Sequence, residues 1–224
     1  MNILIVLTNK EKVGNTDKKT GFHFSEFSHP YEFFVNHGYK VTVASPRGGE
    51  CPITSPHPED KINALFYKDP AKMKIVKETL KLDDLQNQHF DAVYLAGGHG
   101  TMFDFPNNKV LTTIMNKTLS AGGVVGAVCH GPAAFVGAKD NKGRYLVDGK
   151  RINSFTNIEE KATQYYNDLP FLLESKLIEQ GAKFESSEPR EPHLAVDANL
   201  ITGQNPESID LVTEAIHNLL QRGS

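Results

Sequence analysis

Short apolar runs that alternate with helical patterns constrain this chain more than any other feature. Residues 3–7 (Ile-Leu-Ile-Val-Leu), 40–44, 91–96, 124–128 and 200–202 read as strands, apolar through most of their length. A strand without a polar face must be covered on both sides, which is the pattern of a parallel sheet between two helical layers. Between these runs, Ser28-His29-Pro30 opens a helix carrying Tyr31, Phe33, Phe34 and Val35, with Pro30 in the first turn and Gly38 at the stop. Val110, Leu111, Ile114, Met115 and Leu119 mark a second helical face, closed by Ala121-Gly122-Gly123. Residues 150–154 add a short strand, and residues 157–167 and 170–180 are predicted helices. Asn205-Pro206 caps a last one, with Ile209, Val212, Ile216 and Leu219 on one face. Two stretches break the alternation. Residues 8–25 are polar and rich in Gly and Lys, and residues 44–69 are rich in Pro, Gly and Ser. Both read as long loops, which commonly frame a site. With no internal repeat and no linker, residues 1–224 read as one α/β domain.

Composition narrows the function classes. A chain that is 39% hydrophobic and 23% charged can build a real core. A net charge of −3 gives no electrostatic case for nucleic acid or an anionic membrane. No stretch approaches the roughly 20 apolar residues of a membrane span. The opening residues are apolar at once, without a basic leader, and read as a core strand instead of a signal peptide. The expectation is a cytoplasmic protein. Its two cysteines, Cys51 and Cys129, make no disulfide framework and no C-x-x-C pair, so both are expected reduced. His57 and Glu59 flank Pro58, but one pair is too little for a metal site. Neither metal nor cofactor is expected.

The chemistry concentrates at two strand ends. Residues 124–128 run straight into Ala127-Val128-Cys129-His130-Gly131-Pro132, a strand-to-helix turn that lifts a side chain above a sheet. Amides at the start of the following helix would lower the thiol pKa and could hold an oxyanion. The plain alternative is a small buried hydrophobe closing a strand. His130 either lies beside the thiol and moves its proton or points away and caps the turn. Ala96-Gly97-Gly98-His99-Gly100-Thr101 follows another strand. It is not the dinucleotide G-x-G-x-x-G, and its glycines either expose N–H groups to an oxyanion or make a tight turn. Glu26 sits among Phe22, Phe24, Phe27 and Phe33, where a desolvated carboxyl with a raised pKa would suit acid/base work; a helix-terminal Glu favoured by the dipole is the alternative. Glu159 and Glu160 follow Ser154-Phe155-Thr156-Asn157, and either a triad acid or ordinary helix-terminal acidity fits them.

Together these residues resemble the ThiJ/PfpI superfamily. The resemblance rests on Ala96-Gly97-Gly98-His99-Gly100 followed about 30 residues later by Ala127-Val128-Cys129-His130-Gly131-Pro132. Glu26 with Pro30-Tyr31, Ala44-Ser45-Pro46 with Gly48-Gly49, and Thr202-Gly203-Gln204-Asn205-Pro206 narrow it to one branch. That branch holds heat-shock chaperone-like proteins and the glutathione-independent glyoxalases (glyoxalase III). The resemblance implies a flavodoxin-like parallel-sheet sandwich related to class I glutamine amidotransferases, and a homodimer. It implies Cys129 as nucleophile, His130 as triad histidine, Glu26 as the carboxylate handling the substrate proton, and Glu160 as the third acid, with Glu159 one residue of slip away. Gly98, with Gly97 beside it, falls on the oxyanion side. The implied reaction converts methylglyoxal and related 2-oxoaldehydes to 2-hydroxy acids without glutathione, metal or cofactor. Two other readings accompany it: a holding chaperone or deglycase with Cys129 as redox sensor, and a Cys-His-Glu peptidase. The metal ligands of some relatives have no clear match.

Overall fold

The structure is a computed structural model, and it describes residues 1–222. Seven strands form the central sheet: β1 (Asn2–Val6), β2 (Lys40–Ser45), β3 (Leu80–Lys81), β4 (Ala92–Leu95), β5 (Val124–Val128), β6 (Leu194–Asp197) and β7 (Leu200–Gly203). Their order is β6-β7-β5-β4-β1-β2-β3, parallel throughout except for the antiparallel β6–β7 edge. Helices α1 (Phe24–Asn36), α2 (Lys61–Lys68), α3 (Pro70–Lys77), α4 (Lys109–Ser120), α5 (Asn157–Lys161), α6 (Leu173–Glu179) and α7 (Ile209–Arg222) surround it. This is the doubly wound, flavodoxin-like arrangement.

The strands explain the layering. Ile3, Ile5, Tyr94, Val128 and Ile201 pack in one core with Phe27 and Phe34 of α1 and Val212 and Ile216 of α7. The alternate residues Leu4, Val6, Val93, Leu95, Val125 and Ala127 pack in a second core with Leu111, Ile114 and Met115 of α4. Successive side chains of one strand thus enter opposite cores, and both faces are apolar for that reason. The chain builds outward from β1 to β2 and β3, then returns to β4 on the other side. Ligands of such sheets bind where the order reverses, at the carboxyl ends of the strands. Here those are the ends of β1 and β4. At the opposite, amino-terminal edge, Met1, Asp91, Gly123, Asn199 and Arg222 line a hollow of about 460 Å³.

Several boundaries differ from the sequence reading. Helix α1 begins at Phe24, four residues before Ser28, so Pro30 lies inside it. Pro30 has no N–H to give the Glu26 carbonyl one turn earlier, a gap the buried aromatic cluster around it outweighs. The stretch 44–69 is not all loop: α2 occupies its end, with the Asp60 side chain capping the amides of Ile62 and Asn63. Residues 151–152 pair with 183–184, outside the main sheet. The helix expected over 157–167 ends at Lys161, and that expected over 170–180 spans Leu173–Glu179. A short 3-10 turn, Pro206–Ser208, stands between the Asn205-Pro206 cap and α7. Among the described residues, no helix is long and apolar enough to cross a membrane.

Candidate active site

Strand β5 delivers Cys129 to the carboxyl edge of the sheet in a left-handed backbone conformation, φ +58°. A non-glycine residue there costs about 1–2 kcal/mol, and it is held from both sides. Its N–H donates to the Gly203 carbonyl at 2.9 Å, and its carbonyl accepts from the Phe155 N–H at 2.9 Å. The chain then turns through a short 3-10 segment, Gly131–Phe135. A Cβ on Gly131 would stand 2.3 Å from the Leu95 carbonyl oxygen, so only glycine lets the turn lie this close to β4. Cys129 is 4% exposed.

His130 lies beside the thiol, with Nδ1 3.3 Å from Cys129 Sγ. Its Nε2 is 2.7 Å from Glu160 Oε2. Glu160 comes from the first turn of α5, whose N-cap Thr156 and Glu159 form a capping box. Burial raises the Glu160 carboxyl pKa, but the charge and hydrogen bonds of His130 and His99 outweigh it and hold the group well below the usual carboxylate range. An ionised Glu160 accepts the Nε2–H of His130, which leaves the Nδ1 lone pair facing the thiol. His99, from the glycine-rich turn, donates Nε2–H to the other Glu160 oxygen at 2.8 Å and packs at a tilt against His130, with ring centroids 4.0 Å apart. Burial, then the neighbouring His130, lowers the pKa of His99 to about 4.

Glu26 approaches from α1 on the other side. It is fully buried, and burial raises its carboxyl to about 8 against the opposing Gly97 hydrogen bond. Gly97 N–H donates to Glu26 Oε2 at 2.6 Å. Oε1 has no hydrogen-bond partner among the described residues. The Cys129 thiol lies close enough to act on the carboxyl without closing a hydrogen bond to it. A Cβ on Gly97 would meet Glu26 Oε2 at 2.6 Å and the His130 amide nitrogen at 2.7 Å, so this glycine keeps the thiol turn and the carboxyl together. Gly98, at φ +100°, packs under Gly21 and His23, where a Cβ would meet the Gly21 carbonyl at 2.4 Å.

A model of the DJ-1/PfpI family matches residues 19–218. The chain belongs to the DJ-1/PfpI family. Within it, the chain is 32% identical to glyoxalase 3 of Candida albicans, over 93% of each chain. It is 34% identical to the glutathione-independent glyoxalase HSP31 of Saccharomyces cerevisiae, over 92% of each. Among solved structures, the Candida albicans glyoxalase III superposes with a TM-score of 0.88 at 31% identity, covering 97% of this chain and 96% of that one. The 24 kDa rapid encystment protein of Francisella tularensis gives a TM-score of 0.94 at 38% identity, covering 98% of each.

Cys129, His130, Glu160 and Glu26, named in the sequence at three separate places, meet at this one edge of the DJ-1/PfpI fold. Glu159 does not join them. It points away and binds Thr156, the Arg190 amide, Gln204 and Asn205. Two expectations change. The Gly97 N–H is committed to Glu26 and so is not available to an oxyanion while that bond holds. The thiol pKa is not lowered: burial, then the Glu26 and Glu160 carboxyls, push it well above its ordinary value. The segment after Cys129 is a five-residue 3-10 turn, too short for a helix dipole to offset that burial. Sequence reasoning gave no role to His99, although its place in a glycine-rich strand-end turn was the signal. His99, His130 and Glu160 bring ligand atoms within 4.8 Å of one another. Those atoms already hydrogen-bond each other, so an ion would enter only by breaking both bonds.

Proposed function

We propose that this chain is a glutathione-independent glyoxalase, converting methylglyoxal and related 2-oxoaldehydes to 2-hydroxy acids at Cys129. One observation carries the reading: a fully buried carboxyl, held by one oxygen and open at the other, lies against a thiol whose neighbouring imidazole can take its proton. The isomerisation needs just these two functions, a nucleophile and a carboxyl that shuttles a proton between adjacent carbons. His130 Nδ1 takes the thiol proton, and the imidazolium is stabilised by ionised Glu160. The sulfur adds to the aldehyde carbon and forms a hemithioacetal. Glu26, in its carboxylate form, takes a proton from that carbon and returns it to the neighbouring carbon through an enediol, leaving a thioester that water cleaves to the 2-hydroxy acid. The N–H groups of Gly98 and His130 are the proposed oxyanion donors. The names of the curated relatives support the activity. The proposal extends to one domain over the whole chain, acting as a cytoplasmic homodimer.

Purified protein should release D-lactate from methylglyoxal without glutathione. Cys129→Ala should abolish release, and Glu26→Gln and Glu160→Gln should lower kcat at least a hundredfold, within the ordinary reach of acid/base groups. A reduced wild type that makes no D-lactate overturns the reading.

A further inference from the structure

The reaction ends with a step that Glu26 and His130 leave unserved. Water must be deprotonated as it attacks the thioester. Glu26 is assigned the proton transfer between the two carbons, and its Oε2 is held by the Gly97 N–H. His130 faces the sulfur that leaves. A third group has the lone pair the water needs.

His23 stands between the site and solvent. It precedes α1, its backbone N–H donates to the Gly97 carbonyl at 3.1 Å, and its side chain is 14% exposed. Its Nδ1 lies 3.9 Å from Glu26 Oε1. Both atoms are buried, and neither has a hydrogen-bond partner among the described residues. That distance is too long for a direct hydrogen bond, but an oxygen seated between the two atoms is in ordinary range of each. His23 also lines a cleft of about 400 Å³ with Ser25, His57, Arg190 and Glu207. Its ring packs on that of His57, with centroids 5.5 Å apart. Burial, then His57, lowers its pKa to about 4, so the ring is neutral at working pH. With the ring proton on Nε2, Nδ1 offers its lone pair inward.

We propose that His23 is a catalytic residue, the general base that activates the hydrolytic water held between its Nδ1 and Glu26 Oε1. This rests on the glyoxalase reading. His23 Nδ1 takes one proton from water as the oxygen bonds to the thioester carbonyl carbon. The C–S bond then breaks, its electron pair leaving on Cys129 Sγ. His23 releases its proton to solvent while the thiolate regains one through His130, 3.3 Å away, and the products are the 2-hydroxy acid and the free thiol.

The test compares wild type, His23→Phe and His23→Asn with methylglyoxal. Phe keeps the ring packing on His57 and removes the lone pair, and Asn returns a polar atom near the position of Nδ1. In His23→Phe, kcat should fall at least a hundredfold. Cys129 should then accumulate a thioester that survives desalting and yields lactohydroxamate with hydroxylamine. Added hydroxylamine should restore turnover, because it needs no base to attack. His23→Asn, which offers a polar atom but no base, should stay as slow as His23→Phe, and its recovery of the hydrolytic rate overturns the base role. Wild-type turnover in His23→Phe overturns the assignment, as does lost turnover without a trapped thioester. A wild type that makes no D-lactate overturns the glyoxalase reading itself, and this step with it.

Discussion

Glu26 is the residue at which packing and chemistry conflict most directly. Its carboxyl is fully buried and raised to about 8. In the unfolded chain the same group ionises near its ordinary value of 4.5. Between those values the folded state holds one proton that the unfolded state has released. Stability from this group is therefore fully present below about 4.5, declines as pH rises, and is lost by about 8, at about 1.4 kcal/mol per pH unit. Glu26→Gln keeps an acceptor for the Gly97 N–H and removes the ionisation. Denaturation of the two proteins by urea should give equal stability near pH 4.5, with the variant gaining by a few kcal/mol at pH 8. Equal pH dependence would mean that the carboxyl is not desolvated. Among single residues, Cys129 and Glu26 could be singled out because neighbours in sequence, a strand end and a run of phenylalanines, define their surroundings. His23 and His99 could not. Glu26 is only three residues from His23, but that spacing does not aim the ring at its Oε1, and His99 meets Glu160 across 61 positions.

At the scale of elements, α5 shows how one turn serves two tasks. Thr156 caps it, and its first turn presents Glu159 and Glu160 in different directions. Glu159 ties the turn to the Arg190 amide, Gln204 and Asn205, while Glu160 faces the two histidines. Adjacent residues on a helix point about 100° apart, so one carboxylate anchors and the next acts. Spacing alone could not assign them, since a capping box and a triad acid both want a Glu here. Thr156→Ala removes the cap and one donor to Glu159. It should cost about 1 kcal/mol in thermal or chemical denaturation. It should also lower kcat more than it raises KM, because Glu160 loses its fixed turn. The inner strands were legible because their apolar runs are uninterrupted: residues 124–128 match the observed strand end to end. Strand β6 was missed because an edge strand carries a short and partly polar pattern, Leu-Ala-Val-Asp. Helix α2 was missed because it buries little besides Asn63 and Phe66, leaving almost no periodic signal. The start of α1 was misplaced because Pro30 was read as an opening residue, while the phenylalanines before it already belonged to the helix.

For the whole molecule, the buried titratable groups of this one edge set a common pH profile. His23 and His99, both held near 4, remain neutral in the folded state while the unfolded state takes up protons below about 6.5. Their contribution to stability is lost as pH falls from about 6.5 to about 4. Asp104, raised by burial to about 6 on the loop side of the same edge, opposes them up to that pH. Glu26 opposes them up to about 8. The sum turns over near pH 6.5, so thermal denaturation across pH 4.5–8.5 should find its highest Tm there. Glu26→Gln should flatten the decline on the alkaline side, and a wild-type Tm that climbs steadily to pH 8 would contradict this account. The opposite edge carries none of these groups. Met1 and Arg222 line the same hollow there, at the amino ends of the strands. A tether attached at Met1 or Arg222 therefore leaves on the side away from the thiol, and the protein can be fixed to a bead or an electrode at these positions with its working edge turned outward.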